Sequence, residues 1–150
     1  MPEPPMILSP DSLKEIESCV VTSEGMGARI RQIFAENPSD THDIAWEVEA
    51  AVEALEVFTS RWTIEILATL YIAGDRRFNE LRHLLTGISS RTLSDKLRKC
   101  TENGLIDRIV TEGPPVRVTY RLTEHGKRAG RLLGSLVAYM KLHLGSVRQD

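Results

Sequence analysis

Between Ser89 and Asn103 the chain sets short hydroxyls and arginines at helical spacing. Leu93, Leu97 and Cys100 recur at i, i+4 and i+7, so they share one face of a helix. Burying that face turns Ser90, Arg91, Ser94, Asp95 and Arg98 outward. Short hydroxyls come close to phosphates and base edges, and a guanidinium can grip a guanine or a phosphate with two hydrogen bonds. Ser89 stands where an N-cap belongs. An exposed helix N-terminus also offers free backbone amides and the positive end of the helix dipole, both favourable to a phosphate. Each residue has an ordinary alternative, since Ser89 can be a cap and nothing more and Arg91 a plain surface charge. The combination is more telling: Arg76 and Arg77 precede the segment, Lys96, Arg98 and Lys99 lie in it, and Arg108, Arg117 and Arg121 follow it.

The elements that must position these groups can be read in chain order. Residues 1–9 are expected to be a disordered tail, because Pro2, Pro4 and Pro5 oppose regular pairing. Ser9-Pro10-Asp11 is a helix-start signal. Leu13, Ile16 and Val20 then fall on one face, and Gly25-Met26-Gly27 is expected to break the helix before a second short one carrying Ile30, Ile33 and Phe34. That second helix should end near Asn37-Pro38. A third helix is expected to start at residues 40–43 with Asp40 as cap; its apolar face is Ile44, Val48, Ala51, Val52, Leu55 and Phe58, and Glu49, Glu53 and Glu56 form an acidic stripe.

Residues 62–73 are apolar on almost every side, as for a helix in the middle of a fold. Arg76-Arg77-Phe78 is short enough for an edge strand. Helices over 79–85 and 89–103, joined by Thr86-Gly87-Ile88, have helix-turn-helix spacing. Gly104 supplies a left-handed stop. Strands over 105–111 and 116–123 flank the turn Glu112-Gly113-Pro114-Pro115; Val116, Val118, Tyr120 and Leu122 alternate with Arg117, Thr119 and Arg121, one row inward and one outward. Thr123 should cap a last helix whose Leu132, Leu136 and Met140 form part of a five-turn apolar stripe. The fold class is mainly α with a small β-hairpin.

Charge is divided along the chain. Residues 1–60 hold 3 Lys/Arg against 12 Asp/Glu, whereas residues 76–131 hold 13 against 6, so a net charge of −2 hides blocks of −9 and +7. A basic working surface belongs to the second block. No stretch approaches the roughly 20 apolar residues of a membrane span. Glu3 and four prolines in the first ten residues are unlike a secretory signal, which points to the cytoplasm. Cys19 and Cys100 are too few for a disulfide framework, and His42, His83, His125 and His143 show no metal-ligand spacing. There is no glycine-rich phosphate loop and no carboxylate and histidine arrangement of catalytic type, so neither an enzyme nor a cofactor is expected.

These residues carry a family resemblance. The run Trp62, Ile66-Leu67, Leu70, Gly74, Arg77-Phe78-Asn79-Glu80-Leu81, Gly87-Ile88-Ser89, Arg91-Thr92-Leu93-Ser94, Leu97, Gly104-Leu105-Ile106, Arg108, Val118-Thr119-Tyr120, Leu122-Thr123 and Gly126 resembles the HxlR-type winged helix-turn-helix transcriptional regulators over residues 48–144. The resemblance implies a homodimeric prokaryotic regulator of palindromic double-stranded DNA. The helix over 89–103 would enter the major groove and the wing over 112–117 would lie on the backbone. Expected DNA-binding residues are Arg76, Arg77, Ser89, Ser90, Arg91, Thr92, Ser94, Asp95, Arg98 and Arg117. Val52 and Leu55, with Leu132, Leu136 and Met140, are the expected dimer interface. The domain reading is a tail over 1–9, an acidic helical extension over 10–45, and a winged helix-turn-helix with its C-terminal dimerisation helix over 46–146.

Two departures qualify the resemblance. Family members that sense oxidants do so through a cysteine about thirteen residues before the tryptophan, and Glu49 stands there. Cys100 reads as a small core residue, and an intersubunit Cys19 disulfide is disfavoured by a reducing cytoplasm. The extension before the shared region is acidic, unlike a DNA-reaching arm, and is expected to wrap the partner subunit or cover the dimer helices; a ligand pocket for a small-molecule effector stays open. The rival reading is a winged-helix protein-interaction module whose acidic N-terminal helices dock onto a transcription or repair complex; a DNA reader differs in binding duplex with an affinity that falls steeply with salt.

Overall fold

The computed structural model describes residues 1–37 and 42–150; the expected Asp40 cap lies outside the described residues. In chain order the elements are β1 (Met6–Leu8), α1 (Pro10–Glu36), α2 (Ile44–Leu55), a 3-10 turn (Glu56–Phe58), α3 (Arg61–Ala73), β2 (Arg76–Arg77), α4 (Phe78–Leu84), α5 (Ser90–Glu102), β3 (Ile106–Thr111), β4 (Arg117–Leu122), α6 (Glu124–Leu144) and β5 (Val147–Gln149). They fall into two compact units, Met1–Ala45 with Arg131–Asp150, and Trp46–Gly130. The fold is mainly helical with a small sheet, a winged helix.

The unit Trp46–Gly130 holds the core. Ile66 and Leu70 of α3, Leu81 of α4, Leu85 and Ile88 of the turn, Leu93, Leu97 and Cys100 of α5, Ile106 of β3 and Leu122 of β4 form one buried cluster. Trp62, Leu67, Phe78 and Tyr120 pack around it. The expectation that α3 is enclosed on all sides is corrected: Thr63, Ile66 and Leu70 are buried, but Ile64, Tyr71 and Ile72 are exposed. A helix contributes a single face to a core made by two further helices and a hairpin, so its other apolar residues are left for the surface. The three-stranded sheet has order β2-β4-β3, antiparallel throughout, with Arg76 opposite Tyr120, Arg77 opposite Thr119 and Thr111 opposite Arg117.

One junction ties the hairpin and α6 to the end of α5. Gly104 takes φ +72°, the left-handed stop anticipated for it. The Thr123 hydroxyl donates to the Gly104 carbonyl at 2.6 Å, its backbone N–H donates to Leu105 O at 3.0 Å, and its Oγ1 accepts from the Gly126 N–H at 3.0 Å. Thr123 is therefore the N-cap of α6 and a staple to the turn after α5 in one residue. Gly126 completes the joint, because a Cβ there would run into the Leu105 carbonyl oxygen and meet Leu122 Cδ2 at 3.2 Å.

The other unit corrects two expectations. Residues 6–8 are not disordered: Met6, Ile7 and Leu8 pair in parallel with Val147, Arg148 and Gln149. The partner strand sits at the opposite end of the chain, where no local pattern reveals it. Nor does Gly25-Met26-Gly27 break the first helix, which runs unbroken over 27 residues from a Ser9 cap accepting the Ser12 N–H at 3.2 Å. Neither glycine has a positive φ. Each costs a helix about 1 kcal/mol relative to alanine, which a long helix tolerates. In the same unit the hydroxyls of Ser23 and Ser135 share a 2.6 Å hydrogen bond.

Gly126→Ala should lower stability by about 2–4 kcal/mol, since the new methyl meets backbone that cannot retreat without breaking the Thr123 joint. Gly134→Ala, where a Cβ meets nothing within 4 Å, should be neutral or stabilising by up to about 1 kcal/mol. Thermal unfolding of both variants at one protein concentration tests the pair, and equal melting temperatures would refute the account.

Candidate nucleic-acid interface

The segment singled out in the sequence folds as a rigid, outward-facing helix. Leu93, Leu97 and Cys100 are buried to within 1% of completely, so the rotational setting of α5 is fixed by the core. Ser89, Ser90, Arg91, Ser94 and Arg98 are exposed, whereas Thr92 and Asp95 are half-buried. Ser89 caps the helix, its Oγ accepting the Thr92 N–H at 3.1 Å and donating to Thr92 Oγ1 at 2.9 Å. The first turn of α5 carries no acidic residue, which leaves the positive end of its dipole uncompensated.

The arginines divide by what they touch. Arg98 lies 3.4 Å from Asp95 and 3.9 Å from Glu102. Such exposed pairs contribute under about 1 kcal/mol and exchange readily for a phosphate. Arg121 similarly faces Asp107 across β3 and β4 at 3.7 Å. The side chains of Arg91 and Arg117 have no hydrogen-bond or ion-pair partner among the described residues. Arg76 Nη1 donates to the Asp75 carbonyl at 2.7 Å, and the Arg77 N–H donates to Glu80 Oε1 at 3.0 Å, which opens α4. Strand pairing brings Arg76, Arg77 and Arg117 onto one small sheet, with Arg77 opposite Thr119 and Arg117 two residues along β4, about 7 Å.

One residue escaped the sequence reading. Arg82 of α4 donates from Nη1 to Ser90 Oγ at 2.9 Å, placing a further cation beside the start of α5. Its signal was weak: Arg82 follows buried Leu81 on a seven-residue helix, and nothing in the spacing shows which way the turn aims it. Val52, Leu55, Leu132, Leu136 and Met140 are all exposed apolar residues in the single chain. Among the described residues no group of His, Cys, Asp and Glu is arranged to hold a metal, and no helix is long and apolar enough to cross a membrane. A cavity of about 380 Å³ lies in the unit formed by the two chain ends, lined by Ile16, Cys19 and Val20 of α1 and by Gly134, Ser135 and Ala138 of α6.

A buried α5 stripe, a capped outward face and a wing beside it are the parts of one kind of domain, and a family model described as HxlR-like helix-turn-helix matches residues 57–147. The chain belongs to that family. YtcD, an HTH-type transcriptional regulator of Bacillus subtilis (strain 168), is 36% identical over 101 residues, covering 67% of this chain and 79% of its own length. A crystal structure of an HTH-type regulator also named ytcD superposes with a TM-score of 0.57 at 35% identity, over 65% of this chain and 95% of its own. The reduced form of the transcriptional regulator YodB from B. subtilis gives 0.55 at 26% identity, over 66% and 91%. This chain is thus an HxlR-type helix-turn-helix protein of transcription regulation, and α1 lies wholly outside the matched residues.

The two thiols are unlike each other. Burial raises Cys100 to a pKa of about 11 against the lowering influence of Lys96, while Cys19 is exposed. A raised thiol pKa favours the folded state fully below the ordinary value near 9, and that contribution fades as the pH climbs through about 11. The thiolate is the reactive form. Iodoacetamide at pH 8 should therefore label Cys19 alone in the folded protein and both cysteines in denaturant, as read by peptide mass; labelling of native Cys100 would contradict the burial argument.

Proposed function

We propose that this chain acts as a homodimer that binds double-stranded DNA sequence-specifically, at a palindromic operator, with α5 in the major groove and the wing of residues 112–117 on the adjacent backbone. The observation that carries the reading is the exposed face of α5: Ser90, Arg91, Ser94 and Arg98 point outward because the opposite face is locked in the core. The charge of the region supports it, since residues 76–131 carry a net +7. In this reading Arg91 and Ser94 meet base edges. Ser89, Ser90 and Thr92 hold a phosphate at the helix start, and Arg98 exchanges its bonds to Asp95 and Glu102 for DNA. Arg76, Arg77 and Arg117 contact the backbone. The work is binding, not catalysis, and its place is the cytoplasm.

A homodimer is supported by the large apolar residues left uncovered in the single chain, Val52 and Leu55 on α2 and Leu132, Leu136 and Met140 on α6. Two-fold symmetry presents two α5 helices to a palindrome, doubling the short-range contacts a small reader can make.

Selection of duplex fragments by the purified protein should return an inverted repeat, and affinity should fall steeply with salt as phosphate contacts release counterions. Arg91→Ala is expected to cost about 1–3 kcal/mol and to relax sequence preference. Arg117→Ala should weaken all sequences alike and reduce the salt slope by about one. No duplex binding at low salt, or the same effect of both substitutions on specific and non-specific DNA, would reject this assignment. Leu136→Glu should shift the protein toward monomer in sedimentation, and an unaltered dimer would remove α6 from the interface.

A further inference from the structure

One face of α1, about 100° wide, runs the length of the helix as Ser12, Ile16, Cys19, Ser23, Met26, Ile30, Ile33 and Phe34. Its first half has a neighbour: Ser12, Ile16 and Cys19 line the cavity shared with Gly134, Ser135 and Ala138 of α6, and Ser23 hydrogen-bonds Ser135. The second half of the row lies outside that cavity. Met26, Ile30, Ile33 and Phe34 are between 44% and 65% exposed, although they are the larger and more apolar members of the row. A helix that grows more apolar beyond the end of its own support is shaped for something outside the subunit.

The side of α6 turned away from α1 carries a matching row. Leu132, Leu136 and Met140 are between 40% and 75% exposed, and they lie roughly 130° round the helix from Ser135 and Ala138. Within one chain α1 cannot cover them, because it already occupies the other side. Met26, Ile30 and Phe34 repeat at i, i+4 and i+8, as do Leu132, Leu136 and Met140, so both rows are about 12 Å long. Rows of this spacing interlock as ridges and grooves at a crossing near 50°.

We propose that residues 24–36 of α1 form an arm that lies across the Leu132, Leu136 and Met140 row of a second copy of this chain, each subunit clasping the other. The inference rests on the homodimer proposed above and assigns part of its interface to a helix outside the family-matched residues 57–147. Arm and row together leave on the order of 700 Å² of apolar side chain uncovered on each copy, close to the roughly 800 Å² that each partner contributes to a standard interface. The arrangement is self-complementary under a two-fold axis, so it closes at two copies and leaves neither row free to build a filament.

Site-directed cross-linking tests the arm. In the full-length protein with Cys19→Ser, Ile30→Cys and Leu136→Cys are introduced into separately tagged chains, co-expressed, and treated with a short bismaleimide. The expected product is a mixed dimer joined between positions 30 and 136. Products joining only like chains, or none, would overturn the proposal. Independently, Ile30→Glu lies on an exposed position and should keep its helical circular dichroism while raising the dimer dissociation constant at least tenfold in analytical ultracentrifugation. A wild-type dimer whose dissociation constant is unchanged by Ile30→Glu defeats the arm and leaves the homodimer standing. A wild-type protein that stays monomeric at every concentration defeats both.

Discussion

Burial of Leu93, Leu97 and Cys100 in one cluster with Ile66, Leu70 and Leu81 sets α5 in a single rotation about its axis. Each leucine placed there contributes about 1.5–3 kcal/mol. A turn of even one residue's worth, about 100°, would pull Leu97 out and push a polar neighbour in. The outward row of α5 is therefore not a choice the helix makes for itself. It is what remains after the core is filled, so the setting of that surface is decided on the opposite side of the helix. The ends of the helix are fixed by the same economy: Ser89 closes the first turn on Thr92, and Gly104 hands the chain to a strand that Thr123 staples back.

Where a residue's role is set by its near neighbours in sequence, the pattern alone was enough. The i, i+4, i+7 stripe of α5, the Ser89 and Thr123 caps, the left-handed Gly104 and the hairpin around residues 112–115 are all local, and each stands where the spacing put it. Failures came where distant segments decide. Nothing near Met6 announces a partner strand at Val147, and nothing inside α3 says which of its several apolar lines the core will accept. Gly25-Met26-Gly27 differs in kind: it carries a propensity penalty and not a stop, and the flanking helix formers of the 27-residue helix absorb it. Arg82 shows the limit at the candidate site, because a cation on a short helix becomes relevant only when a turn brings it to Ser90. Gly126 was visible as part of a family pattern, but its physical reason, the Leu105 carbonyl beside its Cα, is a contact across 21 residues of chain.

The division of charge bears on how such a protein would discriminate among DNA sequences. With a total of −2, the protein as a whole offers duplex little attraction at long range, and beyond a Debye length of about 8 Å at physiological salt the +7 segment is largely screened. A reader of this composition cannot depend on general basicity to hold it near DNA. Its contacts would have to act at hydrogen-bond range, where the Arg91 and Arg117 side chains are unpaired among the described residues and Arg98 has only weak surface partners to leave. On the proposed reading the 12 acidic groups of residues 1–60 would serve selectivity: they would reduce the affinity for arbitrary DNA more than that for a site that both α5 helices fit, because the first is mostly electrostatic and the second adds base contacts. An acidic extension that helps build a dimer would thus act twice, once by doubling the specific contacts and once by weakening the competing non-specific ones.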